Sequence, residues 1–214
     1  MIPTSECPFR SPHSERSIKY VEKALQRRGG RKFLLLDRDG VVNHDPDNYV
    51  KNLSEFQLLD GVLEAIAKAT RFGWIVNICT NQPGVGKELM SQADLNEIHM
   101  YLRRRAEDIG GNIGEIYYCP HQHGSGCVCR KPQPGLLYAI GKQFNMTQDE
   151  IRNAWFVGDH LRDICAGQAF GCNVALVETG HGHTFVESGN IPESVIVFRD
   201  LNELVDSLGV TQVE

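Results

Sequence analysis

The sequence predicts an α/β protein built on an open, mostly parallel, Rossmann-like sheet with helices on both faces. Short apolar runs recur between residues 33 and 198, with helical patterns between them, the signature of a parallel sheet covered on both sides. With 41% hydrophobic and 23% charged residues among 214, the chain can fill a core of that size. After residue 31 it contains no repeat, low-complexity tract or long linker.

Residues 1–14 read as a loose polar arm, and a short amphipathic segment from Ser17 follows, with Ile18, Val21, Ala24 and Leu25 on one face and Gly29-Gly30 at its end. Residues 1–30 therefore form an N-terminal extension with an accessory helix, and 31–214 form the main domain. Strands are expected at Phe33–Leu36, Trp74–Cys79, Ile116–Cys119, Trp155–Val157, Val174–Val177 and Val195–Phe198. One helix begins at Asp60 and aligns Leu63, Ile66, Ala67 and Thr70. A second begins after Ser91, an N-cap with Asp94 three residues on, and aligns Leu95, Ile98, Leu102, Ala106 and Ile109. A third covers Leu136–Phe144, and Thr147 and Glu150 form the capping box of a fourth. No long insertion lies between Asn43 and Asp60 or between Thr80 and Ser91, so no large cap domain is expected and the site should be open.

The 22 Lys and Arg against 27 Asp and Glu give a net charge of −5, which speaks against a general nucleic-acid surface. No apolar run reaches the roughly 18–20 residues of a membrane span. The start lacks a basic stretch followed by an apolar one, so a cytoplasmic protein is the expectation.

In open parallel sheets the site lies beyond the carboxyl ends of the strands. Four successive runs end in chemistry. Asp37-Arg-Asp39-Gly-Val-Val-Asn43 follows the first, and Thr80-Asn81-Gln82-Pro-Gly follows the second. A His/Cys cluster leading to Arg130-Lys131-Pro132 follows the third, and Gly158-Asp159-His160-Leu-Arg-Asp163 follows the fourth. Each alone is as easily a polar turn. In this order they assemble carboxylates, a hydroxyl and a lysine, as a magnesium-dependent phosphoryl-transfer site would.

Asp37-x-Asp39-Gly-Val, Thr80, Lys131 and Gly158-Asp159-x-x-x-Asp163 resemble the four motifs of the haloacid-dehalogenase-like (HAD-like) phosphatases. The runs Phe33–Asn43, Thr80–Gln82 and Tyr118-Cys-Pro-His121…Cys127-x-Cys129-Arg-Lys-Pro-x-Pro-Gly135 resemble, within that superfamily, the D-glycero-D-manno-heptose-1,7-bisphosphate 7-phosphatases and the related histidinol-phosphatases. The resemblance covers about residues 31–180. It implies Asp37 as nucleophile, Asp39 as the acid that protonates the leaving alkoxide and then activates water, and magnesium on Asp37, the Asp39 carbonyl and Asp159. Thr80 and Lys131 would hold the transferring phosphoryl group. Asp163 is left between two roles, holding Lys131 or a metal-bound water. The heptose enzymes often carry lysine where this chain has His160.

Cys119, His121, Cys127 and Cys129 offer three thiolates and an imidazole within eleven residues, enough for a closed structural zinc site. His123 competes by count; the resemblance implies His121. Cys165 and Cys172 are assigned no chemistry, and His181-Gly-His183 reads as a polar turn.

For the substrate, the five-residue gap from His121 to Cys127 is similar to the histidinol-phosphatase loop. Pro134-Gly135, Asn48-Tyr49-Val50 and the lack of a recognisable fused dehydratase favour the heptose enzymes. Arg130 beside Lys131 suits a second phosphate better than a protonated amine. The expected substrate is a small sugar bisphosphate, with Asp45, Tyr49, Asn81, Gln82, Arg130 and His160 around it. Histidinol phosphate is the alternative, and a non-catalytic zinc-containing binding module is the rival from another class. A monomer with no nucleic-acid or membrane partner is expected.

Overall fold

The computed structural model describes residues 7–27, 30–46 and 48–210. Seven strands form one sheet: β1 (Phe9–Arg10), β2 (Lys32–Leu36), β3 (Trp74–Asn81), β4 (Ile116–Cys119), β5 (Trp155–Gly158), β6 (Asn173–Val177) and β7 (Ile196–Phe198). Their order is β1-β4-β3-β2-β5-β6-β7, with β1 antiparallel to β4 and every other pairing parallel. The helices are α1 (Glu15–Gln26), α2 (Val62–Arg71), α3 (Pro83–Gly86), α4 (Gln92–Asp108), α5 (Gly135–Phe144), α6 (Gln148–Arg152), α7 (Leu161–Phe170), α8 (Gly182–Ser188) and α9 (Leu201–Val210).

Alternation along β2 explains the layers, because successive strand side chains point to opposite faces. Leu34 and Leu36 join the core formed with Val62, Ile66 and Ala69 of α2, Leu95, Ile98 and Leu102 of α4, and Leu204 and Val205 of α9. Phe33 and Leu35 pack on the other face with Val21 and Ala24 of α1, Leu136 and Ile140 of α5, and Phe170 of α7. A Leu34→Ala change would cost about 2–5 kcal/mol by leaving a cavity in the first of these layers.

The expected capping boxes form at Ser91/Asp94 and Thr147/Glu150, each contributing roughly 1 kcal/mol at an otherwise unsatisfied helix start. The segment 37–61 between β2 and α2 holds a 3-10 turn at Leu53–Glu55 and isolated bridges Asp39–Asn43 and Asn43–Leu58, with no large cap domain among its described residues.

The arm and its helix depart from the reading of the sequence. Within the expected loose arm, Phe9 and Arg10 form the strand β1, paired Phe9↔Tyr118 and Arg10↔Tyr117, because β4 would otherwise leave one edge of the sheet open. Helix α1 starts earlier, capped by Ser14. Its buried face is Ser17, Val21 and Ala24, whereas Ile18 and Leu25 face solvent. Part of the expected arm (residues 1–6) and Gly29 of the expected helix end lie outside the described residues. Helix α8 replaces the polar turn expected at His181–His183.

Candidate active site and metal centre

All parallel strands deliver their carboxyl ends to one side. Asp37 follows Leu36, Thr80 and Asn81 end β3, Asp159 follows Gly158, and Thr179–His181 follow the end of β6. Lys131 is the hub. Its Nζ lies 2.6 Å from Asp37 Oδ2 and 2.7 Å from Asp163 Oδ1, and all three side chains are buried. Burial works against the lysine's charge, but Asp163 and Asp37 outweigh it and hold its pKa above the ordinary value. Asn81 fixes the hub from behind: its Oδ1 accepts from Lys131 N at 3.0 Å and its Nδ2 donates to Lys131 O at 3.1 Å.

Asp37 Oδ1 accepts from the Arg38 backbone N–H at 2.7 Å. Burial raises the Asp37 pKa despite the neighbouring lysine. Asp159 is pushed up to about 8, first by burial and then by the charges of Asp37 and Asp163. Its Oδ2 accepts from His181 N at 2.8 Å, and its Oδ1 is buried with no hydrogen-bond partner. Two glycines make room for this carboxylate: a Cβ on Gly40 (φ +80°) or on Gly180 (φ +59°) would lie 2.0 or 2.2 Å from Asp159 Oδ2. Carboxylate oxygens of Asp37, Asp159 and Asp163 lie within 4.8 Å of one another. With Lys131 already shared by two of them, an oxygen-lined, anion-rich cradle with an orphaned oxygen fits a hard divalent cation.

Asp39 is held differently. Its Oδ1 accepts from Arg38 Nη2 (2.6 Å), Arg38 Nε (3.1 Å) and Asn43 Nδ2 (2.9 Å), and its Oδ2 accepts from Gln82 Nε2 (2.6 Å). Gln82 also donates to Thr80 Oγ1 at 3.0 Å. Arg38 is fully buried, and its Nη1 donates to His99 Nε2 at 3.2 Å. Burial, with Arg38 and Arg103 nearby, holds the His99 pKa well below the ordinary value. The neutral ring, accepting at Nε2, therefore carries its proton on Nδ1 and donates to Ser11 Oγ at 2.6 Å.

A cavity of about 460 Å³ opens beside the hub, lined in part by Arg130, Lys131, His160 and Arg162. Arg130 Nη1 donates to His121 O at 3.2 Å. Burial opposes the charge of Arg162, but Asp37, Asp163, Asp159 and Asp45 outweigh it and raise its pKa. His160 caps α7, its Nδ1 accepting from Arg162 N at 3.1 Å. Burial and the adjacent cations push it down to about 4, so the ring is neutral near pH 7. Asp163 also accepts from His160 N at 3.2 Å, completing the capping box while it pairs with Lys131.

Asp45 faces His181 Nε2 at 3.2 Å, and Tyr49 OH accepts from Lys87 Nζ at 2.9 Å. His183 lies on the exposed face of α8 beside Glu187. The sequence reading missed Arg38, Arg162 and the Thr179–His181 turn as site groups. Arg38 and Arg162 stood inside the quoted motifs, and carrying the strand-end rule on to Val174–Val177 would have reached the turn.

The second cluster lies at the end of β4. Cys119 Sγ is 3.4 Å from His121 Nδ1 and 3.6 Å from Cys127 Sγ. Cys129 Sγ is 3.5 Å from His121 Nδ1 and 3.7 Å from Cys127 Sγ. Tetrahedral zinc with ordinary bond lengths sets its donors about 3.8 Å apart for two sulphurs and about 3.5 Å for sulphur and nitrogen, so these residues fit the ion. His123 lies on the exposed part of the loop. A hydrogen bond from Cys129 pulls the Cys119 thiol down to about 6, while that same bond pushes Cys129 up, as expected of thiols that cannot all ionise without a cation. Cys7 also reaches this cluster.

Residues 128–204 match the HAD-hydrolase-like family model. The chain is 41% identical over 177 residues to the D-glycero-beta-D-manno-heptose-1,7-bisphosphate 7-phosphatase of Pseudomonas putida, covering 83% of this chain and 99% of that one. It is 39% identical to the enzyme of the same name from Pseudomonas aeruginosa, over 83% and 98% of the two chains. The crystal structure of D,D-heptose 1,7-bisphosphate phosphatase from Bordetella bronchiseptica, complexed with magnesium and phosphate, is similar at a TM-score of 0.79 and 40% identity, covering 83% and 97%.

Proposed function

Because the chain belongs to the D-glycero-beta-D-manno-heptose-1,7-bisphosphate 7-phosphatase family of HAD-like hydrolases, we propose that it removes the 7-phosphate of D-glycero-D-manno-heptose 1,7-bisphosphate in a magnesium-dependent reaction through a phosphorylated Asp37. The observation that carries this reading is the Lys131 bridge between Asp37 and Asp163 beside a cavity lined by Arg130 and Arg162.

An Asp37 oxygen attacks phosphorus, and the bond to the sugar oxygen breaks. Asp39 gives that oxygen a proton, then takes one from the water that hydrolyses the acyl phosphate and returns Asp37 to its carboxylate form. The Asp39 hydrogen bonds support the assignment. Oδ1 is anchored by Arg38 and Asn43, which leaves Oδ2 to carry the proton once its single partner, Gln82, yields. Thr80 and Lys131 would bind oxygens of the transferring group. Asp37, Asp159 and the Asp39 carbonyl would hold magnesium, which supplies the positive charge that lets an anionic substrate approach an anionic nucleophile.

Arg130 and Arg162 offer planar forks to the second phosphate. Neutral His160 adds a hydrogen-bonding ring rather than a charge, and Asp45 and Tyr49 stand ready for sugar hydroxyls. Asn81 and Gln82 would act mainly by positioning Lys131 and Asp39. Cys119, His121, Cys127 and Cys129 would hold a structural zinc that orders the loop presenting Arg130 and Lys131.

Every group named comes from one chain, so a monomer suffices. No disulfide forms among the described cysteines, which suits a reducing cytoplasm. No helix among the described residues is long and apolar enough to cross a membrane. The test is kcat/KM for the heptose bisphosphate against histidinol phosphate: a clear preference for the former is expected, and the reverse overturns the substrate.

A further inference from the structure

Cys7 lies with its sulphur 3.5 Å from His121 Nδ1 and 3.8 Å from His121 Nε2. It belongs, with His121, Cys127 and Cys129, to a set of donor atoms all within 4.8 Å of one another. The sheet explains how a residue so distant in sequence arrives there. The antiparallel register Phe9↔Tyr118 and Arg10↔Tyr117, continued by two residues, sets Cys7 opposite Pro120, between Cys119 and His121. Beyond Arg10, the Ser11 N–H donates to Ile116 O at 3.0 Å, so the arm follows β4 along its length.

Five donors therefore surround a position where zinc takes four. His121, Cys127 and Cys129 are common to two quartets, one completed by Cys119 and the other by Cys7. A two-residue strand is too short to hold a segment by its ladder alone. We propose that Cys7 is a fifth donor of the zinc centre, exchanging with Cys119 for the fourth position, so that the metal fastens the N-terminal arm to the loop. This rests on the zinc site proposed above. In the exchange the bond from zinc to Cys119 sulphur breaks as the bond to Cys7 sulphur forms. One proton passes from the Cys7 thiol to the Cys119 thiolate, leaving the charge of the centre unchanged.

The experiment uses the full-length, zinc-loaded protein, with zinc counted per chain and its removal by EDTA followed in time. Wild type should hold one zinc, and Cys127→Ser should hold none. Cys7→Ser should keep its zinc but release it about tenfold faster or more, with faster protease cleavage within residues 8–13. Cys119→Ser should retain zinc through Cys7, and the Cys7→Ser/Cys119→Ser double variant should lose it. Circular dichroism of each variant checks the sheet, and Cys7→Ser carries the test even where Cys119→Ser does not fold. If Cys7→Ser releases zinc at the wild-type rate with the arm equally protected, the inference is wrong while the zinc site stands. If wild type holds no zinc, the zinc site itself falls and takes this inference with it.

Discussion

Asp37, Asp159 and Asp163 are carried by strand ends and a helix start whose backbone the sheet already fixes, and buried Lys131 neutralises part of their charge. Cys127 and Cys129 are carried by a loop whose residues 122–126 are exposed and apolar-poor, tied by Gln122 Nε2 donating to Gly86 O and Arg130 Nη1 donating to His121 O rather than by a strand ladder. Lys131 and Cys127 border the same cavity, yet the first cluster is set by strand ends, whereas the proposed zinc would order the second. On the proposed function, precision at the reacting atoms would thus be built into strands. On the same reading, the part that would meet the remainder of the substrate sits on the loop that the proposed zinc would order.

The largest expected effect separates the two regions completely. Asp37→Asn should lower turnover on the order of 10⁴-fold or more while zinc content and folding stay as in wild type, measured by phosphate release and metal analysis. Retained activity would remove Asp37 as nucleophile. Lys131→Met should break the comparison from the other side, because it leaves Asp37 and Asp163 buried without their cation. A loss of about 3–5 kcal/mol in urea unfolding is expected, with magnesium restoring part of it.

The acidic centre should also show itself through pH. Asp159 has a raised pKa of about 8, so its protonated form stabilises the metal-free fold below the ordinary carboxylate range, and that stability is lost as pH rises through about 8. Magnesium favours the ionised form, so thermal melts should show its stabilisation growing from pH 5 to pH 9. A flat dependence would detach Asp159 from the metal.

Smaller effects test the loop. Arg130→Ala should lower kcat/KM for the bisphosphate about 10- to 100-fold while changing a generic aryl phosphate only a few-fold. Equal losses on both would deny Arg130 the second phosphate. Cys127→Ser should raise hydrogen exchange in residues 119–131 before the sheet responds.

The sheet was legible because its strands are apolar on both faces, and Asp37 stood out as a candidate site residue because it ends such a strand. The Ser91 and Thr147 starts were legible because capping is local. What escaped depends on contacts distant in sequence. Ser11, His99 and Arg38 line up behind Asp39 only because Ser11, just after β1, meets His99 of α4 across 88 residues of chain. Likewise, Cys7 reaches the cysteine cluster through the pairing of β1 with β4, which leaves no periodic trace in two residues. The His181 backbone reaches Asp159 through a tight turn at Gly180, which reads in sequence as any polar turn would.

The pairing of β1 with β4 has a consequence for how copies of the chain meet. Tyr117 and Tyr118 belong to a strand whose outer row of backbone groups would be free to template a neighbour's strand. Phe9 and Arg10 occupy that row with the chain's own backbone, and the charged Arg10 side chain stands at the rim. The short arm thereby acts as an insulator. A chain shortened past Ser11 would expose an apolar, hydrogen-bond-hungry margin and is expected to self-associate through it as concentration rises.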